Sequence, residues 1–101
     1  MATFLYEFEW DPVKAQANFI KHRLDFERAA TVFLDPLALT IRDEEHGETE
    51  ARWITMGQDT AGHYVLAVHT FESSTNDRGR IRLSSARRPT KAEVRDYEEQ
   101  I

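Results

Sequence analysis

The 101-residue chain contains no cysteine, which excludes disulfide scaffolds, thiol nucleophiles and cysteine-based zinc sites. No apolar run approaches the ~20 residues of a membrane-spanning helix, and the opening Met1-Ala2-Thr3-Phe4 lacks the basic stretch of a secretory signal. Only four glycines occur, and none forms a glycine-rich phosphate loop. His-x-x-x-His and Glu-x-x-His spacings are missing, and the acidic run 43–50 lacks the alternating ligands and terminal glutamate of a calcium loop. No metal or cofactor is therefore expected. Repeats, low-complexity stretches and linkers are also absent. Hydrophobic residues at 41% and charged residues at 31% are ordinary globular usage. A domain of this length buries roughly 60–70% of its unfolded surface and can fold without staples. The expectation is one soluble, cytoplasmic domain over residues 1–101.

Net charge is −5, which by itself argues against nucleic acid. The distribution argues otherwise. Residues 1–77 hold six basic and fourteen acidic side chains, whereas residues 78–95 hold seven basic ones (Arg78, Arg80, Arg82, Arg87, Arg88, Lys91 and Arg95) against Glu93 alone. An anionic partner responds to the local field rather than the sum.

Period-two alternation of Phe4, Tyr6, Phe8 and Trp10 predicts a first strand. Asp11-Pro12 then opens a helix as N-cap and first helical residue. Val13, Ala17, Ile20 and Leu24 form its apolar stripe. Asp25 caps a second helix with Phe26, Ala29, Ala30 and Phe33 on its buried face, and Pro36 lies just beyond it. Strands follow at residues 37–41, 52–56, 63–71 and 80–85, with 72–77 a polar loop between the last two. Thr90-x-x-Glu93 is a capping box that opens a final helix. The order is β-α-α-β-β-β-β-α, and the short connections favour an antiparallel meander packed with helices, an α+β fold.

Several motifs in this order resemble one family. Phe8-Glu9-Trp10-Asp11, Lys21-His22, Asp25-Phe26-Glu27-Arg28-Ala29, Asp35-Pro36-Leu37, Arg52-Trp53-Ile54-Thr55-Met56-Gly57 and Ser85-Ala86-Arg87-Arg88-Pro89-Thr90 are similar to the pattern of the BrnT toxins. The resemblance implies a RelE-like fold and a ribonuclease toxin of a bacterial type II toxin–antitoxin pair. It implies RNA cleavage, growth arrest, neutralisation by a BrnA-type antitoxin, and operator DNA reached through that antitoxin. One departure is Arg23, which stands where the family has glycine in a left-handed turn; a positive φ there costs about 1 kcal/mol.

Alternation in 80–85 puts Ile81 and Leu83 on a core face and Arg80, Arg82 and Ser84 on the other. Guanidinium forks match phosphate oxygens and stay charged at any working pH. RNA brings its own nucleophile, so an enzyme needs a base, an acid and charge stabilisation. The candidate catalytic residues are Arg82 and Arg87 as phosphate clamps, Arg52 beside them, and His22 or Glu50 as proton carriers. Arg80, Arg88, Lys21 and Lys91 are candidate RNA contacts. Against this stands an ordinary solvated face, with ion pairs to Glu93 or the acidic turn and His22 as a helix C-cap. His69 reads as a packed histidine, and His46 and His63 as solvated. Trp10, Trp53, Phe26 and Phe33 read as core, with Tyr64 and Phe71 open as base-stacking rings. The leading function is a metal-independent endoribonuclease. The alternative is a non-catalytic module that binds an antitoxin in a DNA-bound autorepression complex.

Overall fold

The computed structural model describes residues 5–44 and 51–100. The elements are β1 (Leu5–Trp10), α1 (Pro12–His22), α2 (Phe26–Ala30) running into a 3₁₀ turn (Thr31–Leu34), β2 (Leu39–Arg42), β3 (Trp53–Gln58), β4 (Tyr64–Thr75), β5 (Arg78–Arg87) and α3 (Lys91–Glu98). This is the expected α+β order. Strands β2 to β5 form the antiparallel meander, and β1 joins β5 in parallel, giving a five-stranded mixed sheet in the order β1-β5-β4-β3-β2. Among the described residues no helix is long and apolar enough to cross a membrane.

The helix starts follow their side chains. Asp11 accepts from the N–H of Val13 at 2.8 Å, and Asp25 from that of Arg28 at 2.7 Å. At α3 both halves of the Thr90–Glu93 capping box are formed. Arg23 ends α1 in the left-handed region at φ 58°, and its N–H satisfies the Phe19 carbonyl at 2.8 Å.

Two expectations need correction. The polar segment 72–77 is mostly strand: β4 continues to Thr75 and β5 begins at Arg78, which leaves Asn76 and Asp77 as the turn. Cross-strand pairing overrides the loop-like composition there. The stripe on α1 also faces the wrong way: Val13 is 74% and Ile20 65% exposed, and only Leu24 of the four is buried. The helix instead turns Ala15 and Asn18 inward. The buried Asn18 amide donates to the Leu24 carbonyl and accepts from the Ala86 N–H, each at 3.0 Å. Those two backbone groups need partners in a dry interior, and meeting them fixes the rotation of the helix.

Helices lie on both faces of the sheet. On the first face Leu24, Phe26, Ala29 and Val32 pack on Val65, Ala67, Ile81, Leu83 and Ala86. On the second, α3 covers one end, where Tyr97 and Val94 meet Met56, Leu66 and Tyr64. Asp35 ties the layers together by accepting from the Tyr97 hydroxyl at 2.6 Å and from the N–H of Gln58 at 2.8 Å. Gly57 lets Asp35 come this close, since a Cβ there would lie 3.0 Å from its carboxylate.

Candidate functional site

A bulge in β5 builds the site. Val68 pairs with Ser85 but His69 pairs with Leu83, so Ser84 is the extra residue. Simple alternation would place Arg87 on the core face with Ile81 and Leu83. The inserted residue resets the phase, so that Ala86 stays in the core while Ser85 and Arg87 join Arg80 and Arg82 on the second face. Ser85, not Ser84, thus stands beside the arginines.

On that face, in the part α3 leaves uncovered, an open cavity of about 400 Å³ is lined by Asp43, Arg52, Ile54, Leu66, Val68, Ser85 and Arg87. Arg52, the residue before β3, and Arg87, the last of β5, reach it from opposite sides of β4. Arg82 lies further along β5, opposite Thr70. Among the described residues Arg52 and Arg80 have no ion-pair partner.

The basic block is less bare than its sequence. Parallel pairing with β1 sets Glu7 opposite Arg80 and Glu9 opposite Arg82. Glu7 pairs with Arg78 at 3.2 Å and Glu9 with Arg82 at 3.4 Å, all four side chains about half exposed. Such pairs are worth about 0–1 kcal/mol, so a phosphate can displace them. Arg87 is held harder. Its Nη1 and Nη2 donate to the two Glu93 oxygens at 2.9 and 3.0 Å. Glu93 also accepts from the Thr90 N–H at 2.7 Å. The Arg87 hydrogen bonds hold the Glu93 carboxyl down at about 2 and raise the Arg87 guanidinium above its ordinary value.

The other candidates are dispersed. His22 and Lys21 lie on the last turn of α1, the layer on the opposite face of the sheet. Lys91 opens α3 and is exposed. Arg88 lines a separate open cavity with His63, Tyr64 and Val94. Glu50 and His46 lie outside the described residues. His63 is exposed but tied, its Nδ1 accepting from Arg28 at 2.6 Å. Arg28 Nε also pairs with the buried Asp59. Burial alone would raise the Asp59 carboxyl, but the Arg28 hydrogen bond and the N–H groups of His63 and Ala61 hold it below its ordinary value. His69 is buried as expected.

Sequence reasoning missed Asp43 as a cavity residue, and missed the carboxylates of β1. Asp43 was hidden in an acidic run. Glu7 and Glu9 face β5 across some seventy residues of chain, and nothing local marks that pairing.

The model of the BrnT toxin family, described as ribonuclease toxin, BrnT, of type II toxin–antitoxin system, matches residues 10–93. Among solved structures, the crystal structure of the Brucella abortus ribonuclease toxin BrnT is similar at 16% identity, with 90% of this chain and 100% of that chain covered and a TM-score of 0.57. At that identity the likeness is one of fold. No curated protein matches the chain.

Proposed function

The chain belongs to the BrnT family of type II toxin–antitoxin ribonuclease toxins, and on that premise we propose that its arginine-lined sheet face cleaves RNA without a metal ion. The observation that carries the reading is the meeting of Arg52 and Arg87 at one open cavity. Two guanidinium groups on opposite walls can hold one phosphate and offset the charge that develops on it. The 2′-oxygen of the substrate then attacks the adjacent phosphorus, and the 5′-oxygen leaves. The products are a 2′,3′-cyclic phosphate and a 5′-hydroxyl.

A carboxylate in the cavity can accept the 2′-hydroxyl proton. Asp43 lines it, and Glu50 stands two residues before Arg52 in the chain. His22, on the far layer, is poorly placed to carry that proton, so the proton steps fall to groups on the arginine face. Arg82 and Arg80 extend the basic track along β5, while Arg88 at its separate cavity and Lys91 on α3 would meet RNA only beyond the strand end. Lys21 lies in the α1 layer on the opposite face of the sheet, away from this track.

The toxin arrests growth by this cleavage, and a BrnA-type antitoxin neutralises it by covering the arginine face. Operator DNA is reached through the antitoxin. The carboxylate partners of Arg78, Arg82 and Arg87 favour a second reading, a non-catalytic antitoxin-binding module. Incubation of pure protein with RNA in EDTA separates the two. The proposal expects discrete fragments ending in cyclic phosphate; intact RNA supports the module, and cleavage abolished by EDTA contradicts the metal-free scheme.

A further inference from the structure

The opposite face of the sheet carries a second cavity, of about 260 Å³, where the helices leave β2 to β4 uncovered. Its walls include the rings of Phe33, Trp53, Tyr6 and Phe71, and Thr40, Thr55 and His69 also line it. Phe33 packs against the core as expected and also forms a wall here, whereas Trp53, expected in the core, is a half-buried wall residue. Phe33 meets His69 edge-on at 5.0 Å between ring centroids.

The polar groups form a chain with one possible direction. His69 Nδ1 lies 3.2 Å from the Thr70 carbonyl, which can only accept, so Nδ1 carries the hydrogen. Burial lowers the His69 pKa, which favours the neutral ring, against the opposing hydrogen bond to the Thr70 carbonyl. Its Nε2, 2.7 Å from Thr55 Oγ1, therefore accepts the Thr55 proton. Thr55 in turn accepts from Thr40 Oγ1 at 2.8 Å. Thr40 has used its only proton inward and shows lone pairs alone to the cavity. Arg42, the register partner of Trp53, stands on the same face with no ion-pair partner among the described residues.

We propose that this cavity receives one unstacked base of the RNA strand, held between aromatic rings and donating an N–H to Thr40 Oγ1. The inference rests on the RNA-cleaving reading above. Aromatic walls accept the π-face of any base, the acceptor selects a base edge that carries N–H, and Arg42 suits the accompanying phosphate. A buried aliphatic side chain from a protein partner would leave both the acceptor and the cation unpaired. The volume lies just below the about 300–1,000 Å³ of drug-sized sites, which suits a single heterocycle. The two cavities share β3 and its approach: Arg52, just before the strand, and Ile54 line one, Trp53 and Thr55 the other.

The test uses uncleavable 2′-O-methyl octamers of adenosine, of N6,N6-dimethyladenosine and of abasic sugar, with affinity read by titration and Trp53 quenching read against a Trp53→Phe control. The adenosine octamer should bind at least tenfold more tightly than the abasic one and quench Trp53. Dimethylation should cost several-fold, a loss that Thr40→Val erases, while Arg52→Ala weakens all three octamers. Equal affinity of the adenosine and abasic octamers, still dependent on Arg52, overturns the base pocket and leaves the cleavage site standing. No binding of any octamer overturns both. A Thr40→Val variant that keeps full discrimination between the two adenosines, or loses only antitoxin binding, also overturns the pocket.

Discussion

The two faces of the sheet are made by the same strands and held by different forces. On the first, β5 presents Ile81, Leu83 and Ala86, each at most 1% exposed, to the α1–α2 layer. On the second, the same strand presents Arg80, Arg82, Ser85 and Arg87 to a face that α3 covers only at one end. Burial holds the first face, at about 1.5–3 kcal/mol for each large side chain. Ion pairs order the open part of the second, and most of them are half exposed and weak. The contrast teaches that the open, chemistry-bearing part of the second face adds little to stability, and that the bulge at Ser84 lets one strand serve both faces.

The sharpest break in the comparison is a truncation on the core face. Leu83→Ala should cost about 3 kcal/mol, within the 2–5 kcal/mol of buried leucine truncations, whereas Arg82→Ala next to it should cost under about 0.5 kcal/mol. Urea unfolding of both variants checks this, and similar losses would erase the distinction between faces. Asn18→Leu comes next. It strands the Leu24 carbonyl and the Ala86 N–H in the core, and should cost about 2 kcal/mol. No loss would mean that the α1 layer is positioned by its apolar contacts instead.

On the second face the exception to weak pairing is Arg87–Glu93, and pH isolates it. Glu93 titrates at about 2 when folded against an ordinary 4.5, so the native state favours the ionised form. Its contribution is fully present above about pH 4.5 and is lost as pH falls toward 2. Both side chains are about one-third exposed, and screening reduces the contribution to about 1 kcal/mol. Glu93→Gln should therefore be less stable than the parent protein near pH 6 and equal to it near pH 2, measured by denaturant unfolding at each pH. The smallest effect belongs to the helix end. Arg23→Gly should stabilise by about 0.5 kcal/mol, because relief of the positive φ is offset by lost contact of the guanidinium with the Phe19 ring, 5.8 Å away. A thermal melt shifted downward would show that the ring contact outweighs the backbone strain.

Which parts were legible in the sequence follows from how local each cause is. The caps at Asp11, Asp25 and Thr90 act within three residues, and all three form. The left-handed turn at Arg23 was expected only through the family resemblance, and the structure has it at φ 58°. The alternation in 80–83 separated the two faces correctly. Two residues later it gave the wrong phase, since the bulge at Ser84 is set by the partner strand. The stripe on α1 misled because the buried amide at Asn18 fixes the helix rotation against three apolar side chains, Val13, Ala17 and Ile20. At the site, Arg52, Arg82 and Arg87 were legible as a basic set, and their carboxylate partners were not, because β1 reaches β5 only through the folded sheet. The cavity carboxylate Asp43 and the Thr40–Thr55–His69 chain likewise depend on pairing between strands.

The central claim is that Arg52 and Arg87 act on RNA from the open part of the second face, outside the cluster that α3 buries. RNA cleavage and thermal unfolding of the double Arg52→Ala/Arg87→Ala variant, beside the double lysine variant, measure both halves at once. Cleavage should fall at least 10²–10³-fold, the cost of about 3–4 kcal/mol of lost charge stabilisation, while stability drops by only about 1 kcal/mol, chiefly from the Glu93 pair. Lysine should restore part of the rate, since it keeps the charge and loses the fork. Full cleavage by the double alanine variant, or unfolding severe enough to account for its loss, would contradict the account.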